Sequence, residues 1–379
     1  PQVEACNWSI IISTVLLIII FMRNNPYIYL RGLKHVSFSV FCVEDGQKYY
    51  YDPQFGVKVP YSSGQQVKYT TLEKLNDILG VQPSPTTFYF DVDKNGALKE
   101  GEVLSICNPE YVDQLFGGWM RTPKGGTEKT VTRRSPLCIS AMKPLHSLLA
   151  SIVKENISFD RSSRPDVHKA IVRDANGNEL TDEQIDELLN GNNRSLYRKW
   201  IPDNTRATGL FVHDIAIDMR RLFCVSMNKK EAEVTTEIAD KLKSDGWKPI
   251  NTVFGECLLM PKEQREKIIP ALADALIEWH ITSNQSRTFD LMETLAITIT
   301  DNANTLASSI RAKLINNDED YTRPKAIPIV DDDVDGANTY ITLAGAGYVV
   351  TDNEDKDALK KAKKDLIDRM LAFDYENQM

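Results

Sequence analysis

The segment that most limits what this chain can become is YIYLRGLKHVSFSVFCV, Tyr27 to Val43. It is dense in aromatic and β-branched residues and has no helix-capping signal, and Val36, Phe38, Val40 and Cys42 recur on one face at a period of two. That pattern predicts a long strand, whose backbone donors and acceptors need neighbouring strands. Ala207 to Met219 (ATGLFVHDIAIDM) reads the same way, with Phe211, His213, Ile215 and Ile217 on one face. A single histidine in such a row is expected to be a hydrogen-bonded core residue. Shorter strand signals surround Lys58-Val59-Pro60 and occupy Val253–Met260 and Leu295–Thr300. Helical patterns cover Thr71–Leu79, Lys230–Ser244 and Lys262–His280, with a Gly-Trp-Lys-Pro turn at 246–249 between the last two. The capping box Thr181-Asp-Glu-Gln184 opens a short acidic helix ending near Gly191. Lys356 to Phe373 is a charged amphipathic helix with Leu359, Leu366, Ile367 and Met370 free to dock. No fixed-period repeat is visible.

A chain of 379 residues, 42% hydrophobic and 26% charged, can build a real core in one elaborated domain or two to three ordinary ones. Its formal charge of −8 argues against a general coat for duplex DNA, so any polyanion must meet a local patch. Ile10 to Met22 is a nearly unbroken apolar run of thirteen residues, short for a bilayer span and with no Lys or Arg before it. The expectation is a natural start at Met22 with residues 1–21 as upstream sequence, a short membrane anchor being the alternative. Cys6, Cys42, Cys107, Cys138, Cys224 and Cys257 show no paired spacing. This fits reduced thiols in a cytoplasmic protein without a membrane partner.

Against that acidic background the stretch from Gly117 to Arg173 turns basic. Arg121, Lys124, Lys129, Arg133, Arg134, Lys143, Lys154, Arg161, Arg164, Lys169 and Arg173 face only Glu128, Glu155, Asp160 and Asp166, an excess of seven positive charges. A cluster of one sign concentrates polyanions locally. The functional reading is a nucleic-acid-contacting loop and the plain one a solvated loop-and-helix face.

Other motifs carry two readings each. Tyr61-Ser62-Ser63-Gly64-Gln65-Gln66-Val67-Lys68 places hydroxyls and free backbone N–H groups at a helix start, able to hold a phosphate or simply to cap the helix. Asp91, Asp93, Asn95, Gly96 and Glu102 match a calcium-loop pattern at every specified position. The preceding GVQPSPTTFYF offers no incoming helix, however, and Phe88–Val92, an Asn-Gly turn and Ala97–Leu104 read as a β-hairpin. Asp214 and Asp218, four apart on a predicted strand, share a face and could serve a metal-dependent nuclease; surface alternation explains them equally. The common nucleotide-binding, esterase and metalloprotease signatures are absent, and no cofactor is expected.

In order and spacing, YIYLRGLKHVSFSVF, VPYSSGQQVK, QLFGGWMRTPKGGTEKTVTRRSPLCISAMKPLH and SNQSRTF resemble the backbone subunit of CRISPR Cascade-type surveillance complexes, the Cas-seven family. The likeness spans roughly Met22 to Thr300, its strongest piece being the glycine–methionine–arginine loop that runs into Arg133-Arg134-Ser135-Pro136. It implies an α+β fold: a modified RNA-recognition-motif (ferredoxin-like) palm at 22–345 with long finger and thumb insertions, the basic region 117–173 among them, and a C-terminal helix at 346–379. Copies would stack along a CRISPR RNA beside other Cascade subunits, in a complex more like type I than type III. Base pairing through the guide would then read target DNA or RNA, and no catalytic centre is required. The implied RNA contacts are Ser62, Ser63, Gly64, Gln65 and Lys68; Arg121, Lys124, Lys129, Arg133 and Arg134; and Ser283, Asn284, Gln285 and Arg287. A metal-dependent ribonuclease of related fold, or a calcium module through Asp91, Asp93, Asn95 and Glu102, are the alternatives. The general RNA-recognition signature with stacking aromatics is not evident.

Overall fold

A computed structural model describes residues 25–41, 47–121, 130–160, 170–190, 196, 198–281, 289–315 and 324–378. The apolar run Ile10–Met22 and the expected start at Met22 lie outside them. The fold is mixed α and β. Its centre is a seven-stranded sheet whose strands, in chain order, are β1 (Tyr27–Ser39), β2 (Leu137–Ile139), β3 (Lys143–Pro144), β4 (Ala150–Asp160), β5 (Arg198–Asp218), β6 (Thr294–Thr300) and β7 (Ala337–Ile341). β1 lies between β5 and β6 and is antiparallel to both. β7 follows β6, while β2, β3 and β4 pair along the other edge of β5.

Period-two alternation then sorts the side chains. Ile28, Leu30, Ile215, Ile217, Ile297 and Ile299 are buried on one face. Packed into that core are Leu75 of α1 (Gly64–Leu79) and Leu272 and Leu276 of α2 (Lys262–Glu278). The short helix α3 (Ala303–Ser309) follows β6, and the last helix, α4 (Ala358–Ala372), adds Leu366 and Met370. Full burial of such side chains stabilises the fold by about 1.5–3 kcal/mol each. Leu359 and Ile367 pack at its margin, so all four apolar positions read from the sequence dock. Among the described residues no helix is long and apolar enough to cross a membrane.

The core also holds polar groups. The Gly32 backbone lies against the His213 ring, and a Cβ there would sit 2.3 Å from His213 Cε1. His213 is buried edge-on to Trp279 at 4.8 Å, but neither ring nitrogen has a hydrogen-bond partner among the described residues. It is a core histidine, as expected, without the expected hydrogen bond. Burial, then the charges of Lys34 and Arg31, push its pKa well below the usual imidazole value. The Lys34 ammonium, buried 4.9 Å over Trp279, donates to Thr294 Oγ1 at 2.9 Å. Desolvation lowers its pKa to about 8.

Several elements depart from their sequence patterns. In β1 the alternation breaks at a bulge between Val36 and Ser39; Phe38 takes φ 56° and turns outward, while Val36 and Val40 are buried. Cys42 lies outside the described residues. Of Lys230–Ser244, only Thr236–Ser244 is helical, capped by the Thr235 side chain. The residues before it form a strap because the Asn228 side chain accepts from the Lys230 and Glu231 amides and Glu233 is drawn into the interior. The turn at 246–249 closes sooner, since Lys248 already begins a strand to Thr252. The calcium-like segment is the expected hairpin, Thr86–Val92 against Leu98–Ser105. Asp93 closes its turn by accepting from the Asn95 and Ala97 amides at 2.8 and 2.9 Å.

Candidate nucleic-acid interface

Opposite α1, α2 and α4, the sheet presents Tyr27, Tyr29 and Arg31 of β1 beside Asp218, Ala216 and Asp214 of β5, in direct register. Toward the C-terminal half of β1 this face is closed by Leu33, Val212, Leu295, Ile310, Ile341 and Val349. Toward its start the face stays open. There a cleft of about 760 Å³ is lined by Tyr29, Arg31, Lys68, Arg134, Ser135, Leu137–Ser140 and Asp214, with Ala303 and Leu306 of α3 at its edge.

The start of α1 reaches this cleft through Lys68. Ser63 caps that helix by accepting from the Gln66 amide, and Ser62 bridges to Met142 through both backbone groups. The buried Ser62 hydroxyl donates to Gln66 Oε1 at 2.9 Å. Gly64 is required by close approach, since a Cβ there would sit 2.5 Å from Ile139 O. Gln65 is exposed. Half-buried Lys68 donates to Ser135 Oγ at 2.9 Å, and burial lowers its pKa. The side chain of Arg134 is exposed on the same rim.

Arg31 clasps Asp214 through Nε and Nη2 at 2.6 and 3.0 Å and donates to Ile310 O at 2.9 Å. Arg220 clasps Asp218 at 2.9 and 3.0 Å. The two aspartates do share a face, yet each carboxylate is held by a guanidinium, which opposes a metal there. Among the described residues no group of three or more His, Cys, Asp or Glu side chains could hold a metal ion.

The structure therefore brings Ser62, Ser63, Gly64, Gln65, Lys68 and Arg134 to one region and separates two other expected contacts. Arg133 is buried, and its guanidinium donates to Cys224 O and Arg221 O at 2.7 Å, to Leu115 O at 3.3 Å and to Glu233 Oε2 at 3.1 Å. Five donors met by internal acceptors leave nothing for a phosphate, so Arg133 is a core cation and not an RNA contact. Half-buried Arg121 opens into a different cleft, of about 1000 Å³, together with Met227, Lys229 and Lys243. Lys124, Lys129, Ser283, Asn284, Gln285 and Arg287 lie outside the described residues. Sequence reasoning missed Tyr27, Tyr29, Arg31, Cys138 and Ser140. For the first three the signal was available: they alternate with Ile28 and Leu30, so one face of β1 is core and the other is not.

Neither a protein-family model nor a curated protein matches the chain. Among solved structures it is similar to a chain of a "CRISPR RNA-guided surveillance complex, pre-nicking", at 10% identity and a TM-score of 0.43, over 78% of this chain and 84% of that one. It is also similar to a chain of a "CRISPR RNA-guided surveillance complex", at 12% identity and a TM-score of 0.39, over 89% and 99% respectively.

Proposed function

We propose that this protein is a non-enzymatic RNA-binding backbone subunit of a Cascade-type, type I CRISPR surveillance complex in the cytoplasm. Its cleft on the open sheet face holds the sugar–phosphate chain of the CRISPR RNA, copies stack along the guide beside other subunits, and base pairing through the guide selects the target nucleic acid. The observation that carries this reading is topological. The path β1–α1–β2/β3–β5–α2–β6 gives the spatial order β2/β3–β5–β1–β6, with both helices on one face. That order supports a βαββαβ palm of the RNA-recognition type, a fold that takes a single strand on the sheet face opposite its two helices. The projecting hairpin Thr86–Ser105 and the pair Ile310–Ile315 with Lys325–Val330 are then insertions on the palm.

In this reading Lys68 and Arg134 meet phosphates, with the Ser62–Gln65 turn alongside, and the letters of the guide are not read. The first test is whether RNA of uniform length co-purifies with the protein. The second is Lys68→Ala and Arg134→Ala, each expected to weaken binding for every guide sequence and to lower the log–log salt slope by about 0.7 on a single strand. Unchanged affinity and slope in both variants would remove the cleft from consideration. Magnesium-dependent turnover of guide-complementary RNA would replace the reading with a nuclease.

A further inference from the structure

A second cleft, of about 630 Å³, shares Arg134 with the one on the sheet face and opens between the strap and the strand Val131–Arg133. Its walls are fixed by hydrogen bonds. The Thr132 amide donates to Ala232 O at 3.1 Å, and Trp119 Nε1 donates to Glu233 O at 2.7 Å. The Ser226 amide donates to Glu233 Oε2 at 2.8 Å.

The floor of this cleft carries unbalanced charge. Glu233, only 7% exposed, accepts from Arg133 Nη1 at 3.1 Å and from Arg221 Nη1 at 2.8 Å. One carboxylate between two guanidiniums leaves a single positive charge over. Arg133 spends every donor on internal acceptors, but Arg221 does not. Phe254 covers one face of the Arg221 guanidinium at 3.6 Å, and among the described residues only its Nη1 finds an acceptor. Arg221 also lines the cleft, as do exposed Arg134 and Lys230, which have no ion-pair partner among the described residues. Against them stands one exposed carboxylate, Glu231. The site therefore holds an excess of two positive charges in a chain whose total is −8. Charge left over in a half-buried site is costly until an opposite charge comes to it. The Thr130 and Thr132 hydroxyls and the Asn228 amide add neutral donors. A phosphate monoester, with about −1.5 to −2 charge at pH 7 and three strong acceptor oxygens, matches this excess better than the single charge of a phosphodiester.

We infer that the strap cleft is a binding site for a phosphate monoester, held by Arg221, Arg134 and Lys230. The monoester may end a nucleic-acid strand or belong to a free nucleotide; the chemistry that recognises it is the same. The site lies off the open sheet face and stands without the strand grip proposed above, sharing only Arg134 with it.

Three oligouridylates of one length are the probes: phosphorylated at the 5′ end, phosphorylated at the 3′ end, and unphosphorylated. They are compared by equilibrium binding at fixed salt, with uridine monophosphate titrated separately by calorimetry. A terminal phosphate at one end should tighten binding at least about tenfold, the worth of one added hydrogen bond between charged groups. That preference identifies a strand end as the ligand, whereas heat from uridine monophosphate without it identifies a free nucleotide. In either case Lys230→Ala should remove most of the effect and Glu231→Gln should enlarge it. Both side chains are exposed, and a gain in affinity cannot come from misfolding. Lys68→Ala should weaken all three RNAs alike and leave the preference unchanged. Equal binding of the three RNAs with no heat from uridine monophosphate would overturn the site and leave the strand grip standing. An effect that survives Lys230→Ala and ignores Glu231→Gln would overturn it as well. A terminal-phosphate preference that persists while Lys68→Ala changes no affinity would refute the strand grip and leave this site in place.

Discussion

Arg133 and Arg134 are adjacent in sequence and opposite in fate, which makes them the sharpest test of how the basic stretch is used. Replacing Arg133 with Met keeps the apolar stem but deletes five donors from a site where the side chain is fully buried. Leu115 O, Cys224 O and Arg221 O lose a partner, and Glu233, itself only 7% exposed, keeps Arg221 and the Ser226 amide but loses one of its two cations. Breaking a buried pair on one side costs about 3–5 kcal/mol, most of it from the groups left uncompensated. With a urea slope of roughly 3 kcal/mol per molar, the unfolding midpoint should fall by roughly 1 M or more at unchanged slope. Arg134→Ala should leave the midpoint within roughly 0.2 M of wild type, since surface changes stay near ±0.5 kcal/mol. Its effect belongs to RNA binding: weaker affinity and a salt slope lowered by about 0.7. The reasoning fails if Arg133→Met unfolds at the wild-type midpoint while losing RNA affinity as Arg134→Ala does.

Lys34→Met should raise stability below pH 8. The folded pKa of Lys34 is depressed to about 8 from 10.5, so its charged form is penalised in the folded state by about 3 kcal/mol below pH 8. That penalty fades as the pH climbs toward 10.5, because the unfolded chain then binds more protons than the native one. Wild-type stability should therefore rise relative to the variant between pH 8 and 10.5, and parallel curves would refute the assignment. Gly32→Ala drives a Cβ into the His213 ring and should destabilise by about 1–3 kcal/mol. In combination with His213→Ala the cost should be less than additive by at least roughly 0.5 kcal/mol, as measured in a double-mutant cycle. Cys138 is exposed in the cleft on the open sheet face, whereas Cys107, Cys224 and Cys257 are buried. Site-resolved thiol labelling should find it the fastest of these four, and bound RNA should slow it; unaltered labelling would place the strand elsewhere.

How far the sequence was legible depended on the kind of force at each place. Local rules worked where the decisive contacts are local: the Thr181–Gln184 capping box, the Ser63 cap of α1 and the Asn-Gly hairpin all form as read. Alternation identified the two long central strands, because a half-buried strand writes its burial into every second residue. It failed at Phe38, where a bulge reverses the facing, and bulges have no reliable sequence mark at this spacing. The basic stretch was the least legible feature. Charge count cannot tell Arg133 from Arg134, since burial of the first depends on Glu233 and on carbonyls as much as 91 residues away.

The chain by itself determined that strands of period two would meet helices of period 3.6, and so which faces could be core; hydrophobic burial follows spacing, and spacing is written in order. Tertiary structure alone decided which polar groups became internal struts and which stayed available. Neutralising Asp214, Asp218 and Glu233 takes arginines from β1 and from the turn after β5, and leaves Lys68 and Arg134 at the open face. Pair energies depend on distance and burial, and both are set only when segments remote in sequence close on one another.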